Sequence, residues 1–342
     1  MTRQQGGRER KGRLRLWGHL LVLVPIVVAP TLLFAQRAIS LGSIAPANSL
    51  WDRALKQMAT EVQRATDRRV RFRVASGSQG DEAAIVRRLK IGTTQAAALT
   101  PIGLEEFDAE FGVLGMPFFF ESDAETRHVL AALQPRFEAA LAKQRLVLIN
   151  WAHTGWAHLF SAETIRTLED VKRAKLYTSP DDRMVSWYRA NGFNPVPLEL
   201  SDVPVGLHTG LINAYPFPPY AAMLLQYYRP APHMLDLPLG PVVGATVMTT
   251  RHWDRLSAAD REAILAAGQR MEDHLFREVP RQDAAAVTEM QQRGLAVTEL
   301  SPDSIRGFRE AADLMTASMR DVIVPAGIYD EAVQARNAFR RP

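Results

Sequence analysis

Two histidines five residues apart, His153 and His158, and two acidic pairs, Glu105-Glu106 and Asp181-Asp182, are the groupings here whose types could do chemistry. In an extended segment a spacing of five puts the two imidazoles on opposite faces. That disfavours a shared metal and predicts structural hydrogen bonding instead. The acidic pairs read as solvated surface or as charges at helix starts, where the helix dipole favours them, rather than as acid–base dyads. Gly77-Ser78-Gln79-Gly80 lacks the strand-to-helix setting of a nucleophile elbow, and no HExxH, GxSxG, P-loop or GxGxxG occurs. The chain has no cysteine, so disulfides, thiol catalysis and cysteine metal sites are excluded. The chemistry that remains is recognition: no enzymatic activity and no cofactor are expected.

The elements that would position a binding site alternate between strand and helix. Trp51, Leu55, Met58 and Val62 share one face of a first helix capped by Asn48 or Ser49. Val70 to Val74 alternates as a half-buried strand, Asp81 opens a second helix, and Ala96 to Leu99 is a short buried strand. Ser122-x-x-Glu125 is a capping box whose helix is expected to be interrupted at Pro135. Leu146 to Asn150 is a buried strand that continues extended from Trp151 to Ser161. Lys175 to Thr178 and Pro195 to Leu198 read as strands around a helix carrying Met184, Val185, Trp187 and Tyr188. A helix opened by Ser201 and an apolar step at Leu211-Ile212 follow. Val242 to Thr250 is a further strand. Ser257-x-x-Asp260 caps a helix reaching Arg293, roughly 55 Å long at 1.5 Å per residue, in which Pro280 should introduce a kink. Such alternation argues for an α/β fold with mixed or parallel sheet, whose ligands sit at the carboxyl ends of strands, here around 177–180 and 213–218.

The first 35 residues stand apart. Six basic residues (Arg3, Arg8, Arg10, Lys11, Arg13, Arg15) precede an apolar run ending Leu33-Phe34-Ala35, the pattern of a secretory signal cut after Ala35 or of an uncleaved anchor. Removing these six and Glu9 takes the formal charge from +4 to −1. Nucleic-acid binding therefore loses its electrostatic support.

Several segments carry a resemblance. IAPANSLWDRAL, SGSQGDEAAIVRRLKIGTTQAAALTP, GVLGMPFFFES and VKRAKLYTSP follow one another in the order and spacing of the DctP-type extracytoplasmic receptors of TRAP transporters. GFNPVPLELSDVPVGLHTGLINAYPFPP continues the match. The resemblance covers roughly residues 37 to 295. It implies a two-lobed periplasmic binding protein fold with mixed sheets and a long helix spanning both lobes. The expected divisions are 36–153 plus 242–256 for lobe 1, 154–241 for lobe 2, 257–294 for the long helix and 295–342 for a C-terminal strand and helices.

In that family an arginine at a strand end clamps the carboxylate of the ligand, since a guanidinium fork matches a carboxylate in shape and charge. Here the resemblance puts Tyr177 at that position. It puts Trp156 and Ala157 where an aromatic and a second arginine are frequent, Phe217 after Tyr215-Pro216 at the asparagine, and Leu200 at a further aromatic. Glu82, in the GDE-type loop, is carried over as a ligand contact. The expectation is a periplasmic receptor for a hydrophobic or amphipathic small molecule, delivering it to a TRAP-type permease and working with a TPR-repeat periplasmic protein. The alternatives are an organic-acid receptor with Arg183 as a relocated cation, an exported enzyme on the same lobes, or an anchored scaffold without a ligand.

Overall fold

The computed structural model describes residues 37–78 and 80–341. The leader read from the sequence lies outside them. The strands are β1 (Arg37–Ser43), β2 (Val70–Ser76), β3 (Ala96–Leu99), β4 (Leu146–Ser161), β5 (Lys175–Thr178), β6 (Asn194–Pro197), β7 (Ala214–Phe217), β8 (His233–Leu235), β9 (Gly240–Thr249) and β10 (Ala296–Thr298). The helices are α1 (Leu50–Ala65), α2 (Glu82–Lys90), α3 (Pro101–Glu105), α4 (Asp123–Lys143), α5 (Leu168–Arg173), α6 (Asp182–Ala190), α7 (Val203–Thr209), α8 (Pro219–Leu224), α9 (Thr250–Trp253), α10 (Ala258–Gln292), α11 (Pro302–Met319) and α12 (Ala326–Arg340).

The strands form one path, β2-β1-β3-β9-β4-β7-β5-β6, with β8 and β10 attached beside β4. β4 belongs to both halves. Its first part runs antiparallel to β9, and its last residues pair antiparallel with β7 and β8. β1 pairs in parallel with β2 and β3, while β5 pairs in parallel with β6 and β7. This is the expected mixed sheet in two lobes. β6 holds two prolines, Pro195 and Pro197, which an end strand tolerates because one edge needs no donor.

Each half buries apolar side chains on both faces. In the first half, α1 and α10 cover one face through Leu55, Met58, Ile264 and Leu275, and α2 and α4 cover the other through Ile85, Val129 and Phe137. In the second half, one face is packed by Phe160, Tyr215, Val203, Leu207 and Met290, and the other by Leu159, Leu176, Phe193 and Phe308.

Three local expectations are corrected. α4 runs unbroken through Pro135 over 21 residues. Both Pro135 and Ala131, whose carbonyl the proline leaves without a helical donor, are exposed, so water can satisfy it. The expected strand step at Leu211-Ile212 is a turn after Gly210, which ends α7 with φ 69°, and β7 begins at Ala214. There Asn213 is tied to β5 by its N–H to Lys175 O (3.0 Å) and by its Oδ1, which accepts from Lys175 N (2.7 Å). Third, Glu105 is not a solvated surface charge, for reasons given below. α10 also continues through Pro280 without a break, as one helix of 35 residues, about 53 Å at 1.5 Å each. No helix among the described residues is long and apolar enough to cross a membrane.

Candidate functional site

β5 runs parallel to both its neighbours, β6 and β7, so the carboxyl ends of all three open on the same side. Tyr177 lies near the end of β5 and Phe217 ends β7. Successive side chains of a strand alternate, which places Tyr215 and Phe217 on one face together with the cross-strand partner Phe160. The rings pack accordingly. Tyr215 stacks on Phe160 at 5.3 Å and meets the edge of Tyr227 at 5.9 Å, and Phe217 lies 5.7 Å from Tyr227. Tyr177 and Leu200 complete this apolar group.

Within the group the two expected phenols differ. Tyr215 is fully enclosed and its Oη has no partner among the described residues. It backs the site rather than forming its surface. Tyr177 is also buried. Its phenol is pushed well above the usual tyrosine range, by burial first and then by Tyr227 and the carboxylates of Glu199 and Glu82.

Glu82 therefore approaches the group from the first lobe. Its carboxylate accepts the backbone N–H of Thr100 at 2.6 Å and the Thr100 hydroxyl at 2.5 Å, which caps the start of α3. Gly103 makes room for it, since a Cβ there would lie 2.7 Å from Glu82 Cδ. Shielding from water raises the Glu82 pKa despite these donors.

Arg183 is already occupied. Its guanidinium pairs with Asp181 at 2.9 Å, and Asp181 in turn caps α6 by accepting the N–H of Arg183 and Met184. Glu105 faces this pair. Burial, with the Asp181 charge adding to it and Arg183 opposing it, pushes Glu105 up to about 7.

Trp156 and Ala157 stand elsewhere. Trp156 lies opposite Pro241 and Ala157 opposite Gly240, just past a bulge in the β4–β9 ladder. The Trp156 ring packs on the first-lobe core, not on the tyrosine group. Its indole N–H donates to Asp123 Oδ1 at 2.7 Å. Burial alone would raise Asp123, but hydrogen bonds from His153 and Trp156 hold it below the ordinary carboxylate value. His153 Nδ1 accepts the Gly155 N–H at 2.9 Å, so its Nε2 carries the proton shared with Asp123, also at 2.9 Å. Both histidines are structural in this sense: His158 Nδ1 lies 3.0 Å from the Trp156 carbonyl. Among the described residues no group of three or more His, Asp or Glu is placed to hold a metal.

Sequence reasoning did not single out Tyr227, Glu199, Asp123 or Asp283. Only Asp283 left a signal. It sits four residues after Val279 and four before Val287, where the apolar stripe of α10 calls for a hydrophobic side chain.

Known proteins share this architecture. The structure of DctP7, a Bordetella pertussis extracytoplasmic solute receptor binding pyroglutamic acid, superposes with a TM-score of 0.79 at 19% identity, covering 88% of this chain and 99% of that one. A TRAP periplasmic solute binding protein from Xanthobacter autotrophicus Py2 with bound β-D-galacturonate gives 0.79 at 19% identity, with coverages of 87% and 99%. Among curated relatives, a solute-binding protein of Chromohalobacter salexigens is 25% identical over 64% of this chain and 66% of its own length. The ectoine/5-hydroxyectoine-binding periplasmic protein UehA of Ruegeria pomeroyi is 22% identical over 85% of this chain and 90% of its own length. The family model described as bacterial extracellular solute-binding protein, family 7 (DctP), matches residues 41–321. With two lobes, a spanning helix and a match over most of its length, the chain belongs to that DctP family of TRAP-type solute receptors.

Proposed function

We propose that this receptor takes an apolar or amphipathic molecule rather than an organic acid, and delivers it to a TRAP-type membrane permease. The observation that supports this is Tyr177 with its neighbours. Where the resemblance puts a guanidinium, this chain has a buried phenol beside Tyr227, Glu199 and Glu82. A ligand carboxylate brought there would lose its water, gain no cation and meet two carboxylates, an exchange unfavourable by several kcal/mol in rough terms. An apolar body would instead gain about 25 cal/mol for each Å² buried against the rings. On this reading capture closes lobe 1 (36–153 and 242–256) on lobe 2 (154–241) about the crossing strands. A TPR-repeat protein acts as an intermediary in delivery.

The second reading, an acid receptor, draws on the acids bound by the Bordetella and Xanthobacter proteins. It needs Arg183, which is half-exposed and committed to Asp181. Calorimetry against succinate, malate, pyruvate, sialic acid, pyroglutamate and galacturonate should give no heat. The neutral apolar fluorophore N-phenyl-1-naphthylamine should bind, and Tyr177→Ala should weaken it. Micromolar binding of any of the acids, abolished by Arg183→Ala and untouched by Tyr177→Ala, would overturn the proposal.

A further inference from the structure

Trp156 is held at both ends by carboxylates from different helices. Its indole N–H goes to Asp123 at the start of α4, and its backbone N–H goes to Asp283 Oδ2 of α10 at 3.3 Å. The other oxygen of Asp283 accepts the backbone N–H of Tyr220 at 2.9 Å, three residues beyond Phe217. The Tyr220 phenol accepts the N–H of Leu50, the first residue of α1, at 3.2 Å, and its ring lies 5.1 Å from Trp51. One carboxylate thus joins β4 just past its bulge, the start of α8 behind β7 and, through Tyr220, the first helix of the other lobe.

We propose that Asp283 is a positioning residue for ligand capture, holding the β4 segment that carries Trp156 and the α8 start that follows Phe217 in fixed relation to α10. The proposal rests on the receptor reading above for what is captured. Three features are arranged around this carboxylate. It is 8% exposed within an otherwise apolar stripe, where an aliphatic side chain would pack but leave two backbone N–H groups without acceptors. The bulge between His153 and Trp156 breaks the β4–β9 ladder at this point, and Pro241 opposite Trp156 offers no N–H. Gly155, with φ +124°, gives up its side chain there: a Cβ would lie 2.6 Å from Asp283 Oδ2 and 2.6 Å from Pro218 Cβ.

The consequence is mechanical. α10 starts against α1 and β4 of the first lobe and ends with Met290 in the core of the second. A displacement of the helix at Asp283 moves the Trp156 segment of β4 and the start of α8 at once, and Tyr220 passes it to α1.

Asp283→Asn tests this, because the amide offers one acceptor oxygen in place of two. In the folded, ligand-free variant at least one of the Trp156 and Tyr220 amides should lose at least tenfold of its hydrogen-exchange protection, while those of β9 keep theirs. Binding of N-phenyl-1-naphthylamine should weaken at least fivefold. Asp260→Asn is the control for a merely structural loss. It removes another buried carboxylate of α10, bonded to Arg69 at 2.9 Å, and should leave the fluorophore affinity unchanged. Unchanged affinity in Asp283→Asn, or an equal loss in Asp260→Asn, overturns the proposal. If the wild type does not bind the fluorophore, the apolar-ligand reading falls alone and exchange decides this one: release of at least one of the two amides sustains it, and release of neither overturns it. Should Asp283→Asn fail to fold, Tyr220→Phe cuts the same chain at its far end. It should expose the Leu50 amide and weaken the fluorophore at least twofold, and unchanged affinity overturns the proposal.

Discussion

Asp283 also makes stability depend on pH in a way that can be worked out. Burial pushes its carboxyl from the ordinary Asp value of 3.8 up to about 6, against the pull of the Tyr220 and Trp156 N–H groups and the field of His153, with Asp123 adding to the rise. A folded-state pKa above the unfolded one means that folding favours the protonated form. The associated stability is fully present below pH 3.8 and is lost as pH rises through 6. The interval corresponds to about 3 kcal/mol at 1.36 kcal/mol per factor of ten. Because Asp283 is 8% exposed, solvent screening takes little from that figure. The Asp283→Asn variant has no titrating group there, so the difference between the two proteins isolates the carboxyl. Urea unfolding of both between pH 3.5 and 7.5 should show the wild type losing about 3 kcal/mol relative to the variant, most of it between pH 4 and 6. A difference flat to within about 1 kcal/mol would refute the reasoning, as would a wild type gaining toward neutral pH. The latter would mean that the two N–H donors outweigh burial.

Other expectations are more direct. Gly155→Ala forces a Cβ into Asp283 and Pro218 at an unfavourable φ and should destabilise the fold by about 3 kcal/mol or more, seen in thermal melts. Phe137→Ala, at a fully buried ring stacked 4.9 Å from Phe111, should cost about 3–5 kcal/mol in the same assay. If the lobes close on the ligand, small-angle scattering should show a smaller radius of gyration with saturating N-phenyl-1-naphthylamine, and an unchanged radius would contradict closure. From the leader pattern, N-terminal sequencing of the receptor from the periplasm should begin at Gln36, whereas a full-length membrane-retained product would favour the anchor.

Much of the fold was legible because strands and helices announce themselves by period. The Lys175 strand, the capped α1 and the 35-residue α10 follow from apolar spacing and from Ser49 and Ser257 as caps. Pro135 misled because the cost of a helical proline is lessened where its orphaned carbonyl reaches water, and exposure is not written in the local sequence. The site was half legible. Tyr177, Phe217 and Leu200 do come together, since strand order and alternation bring them to one face. Trp156 does not join them, because it lies four residues before Phe160, where β4 still pairs with β9, and its ring packs on the first-lobe core. Glu105 read as a surface or helix-start charge because the groups that face it, Asp181 and Arg183, lie far along the chain, where a local window does not reach.

The sharing of β4 between the two halves has a further consequence, for the order in which this chain can fold. Ala96 of β3 pairs with Met248 and Leu146 of β4 pairs with Thr249, so the first half of the sheet cannot close until residues of β9 exist to enter it. A chain emerging from its amino end has by then already produced every strand of the second half except β10. The second lobe can therefore gather early around the β5–β7 pairings, while β1, β2 and β3 wait with the exposed edge of β3 unpaired. That wait spans about 150 residues of synthesis, and long-range pairing of this kind is slow to find and prone to capture by other edges. The strands of the first half come from two separate stretches of sequence, so a split of the gene anywhere between β3 and β9 leaves that half without a strand it needs.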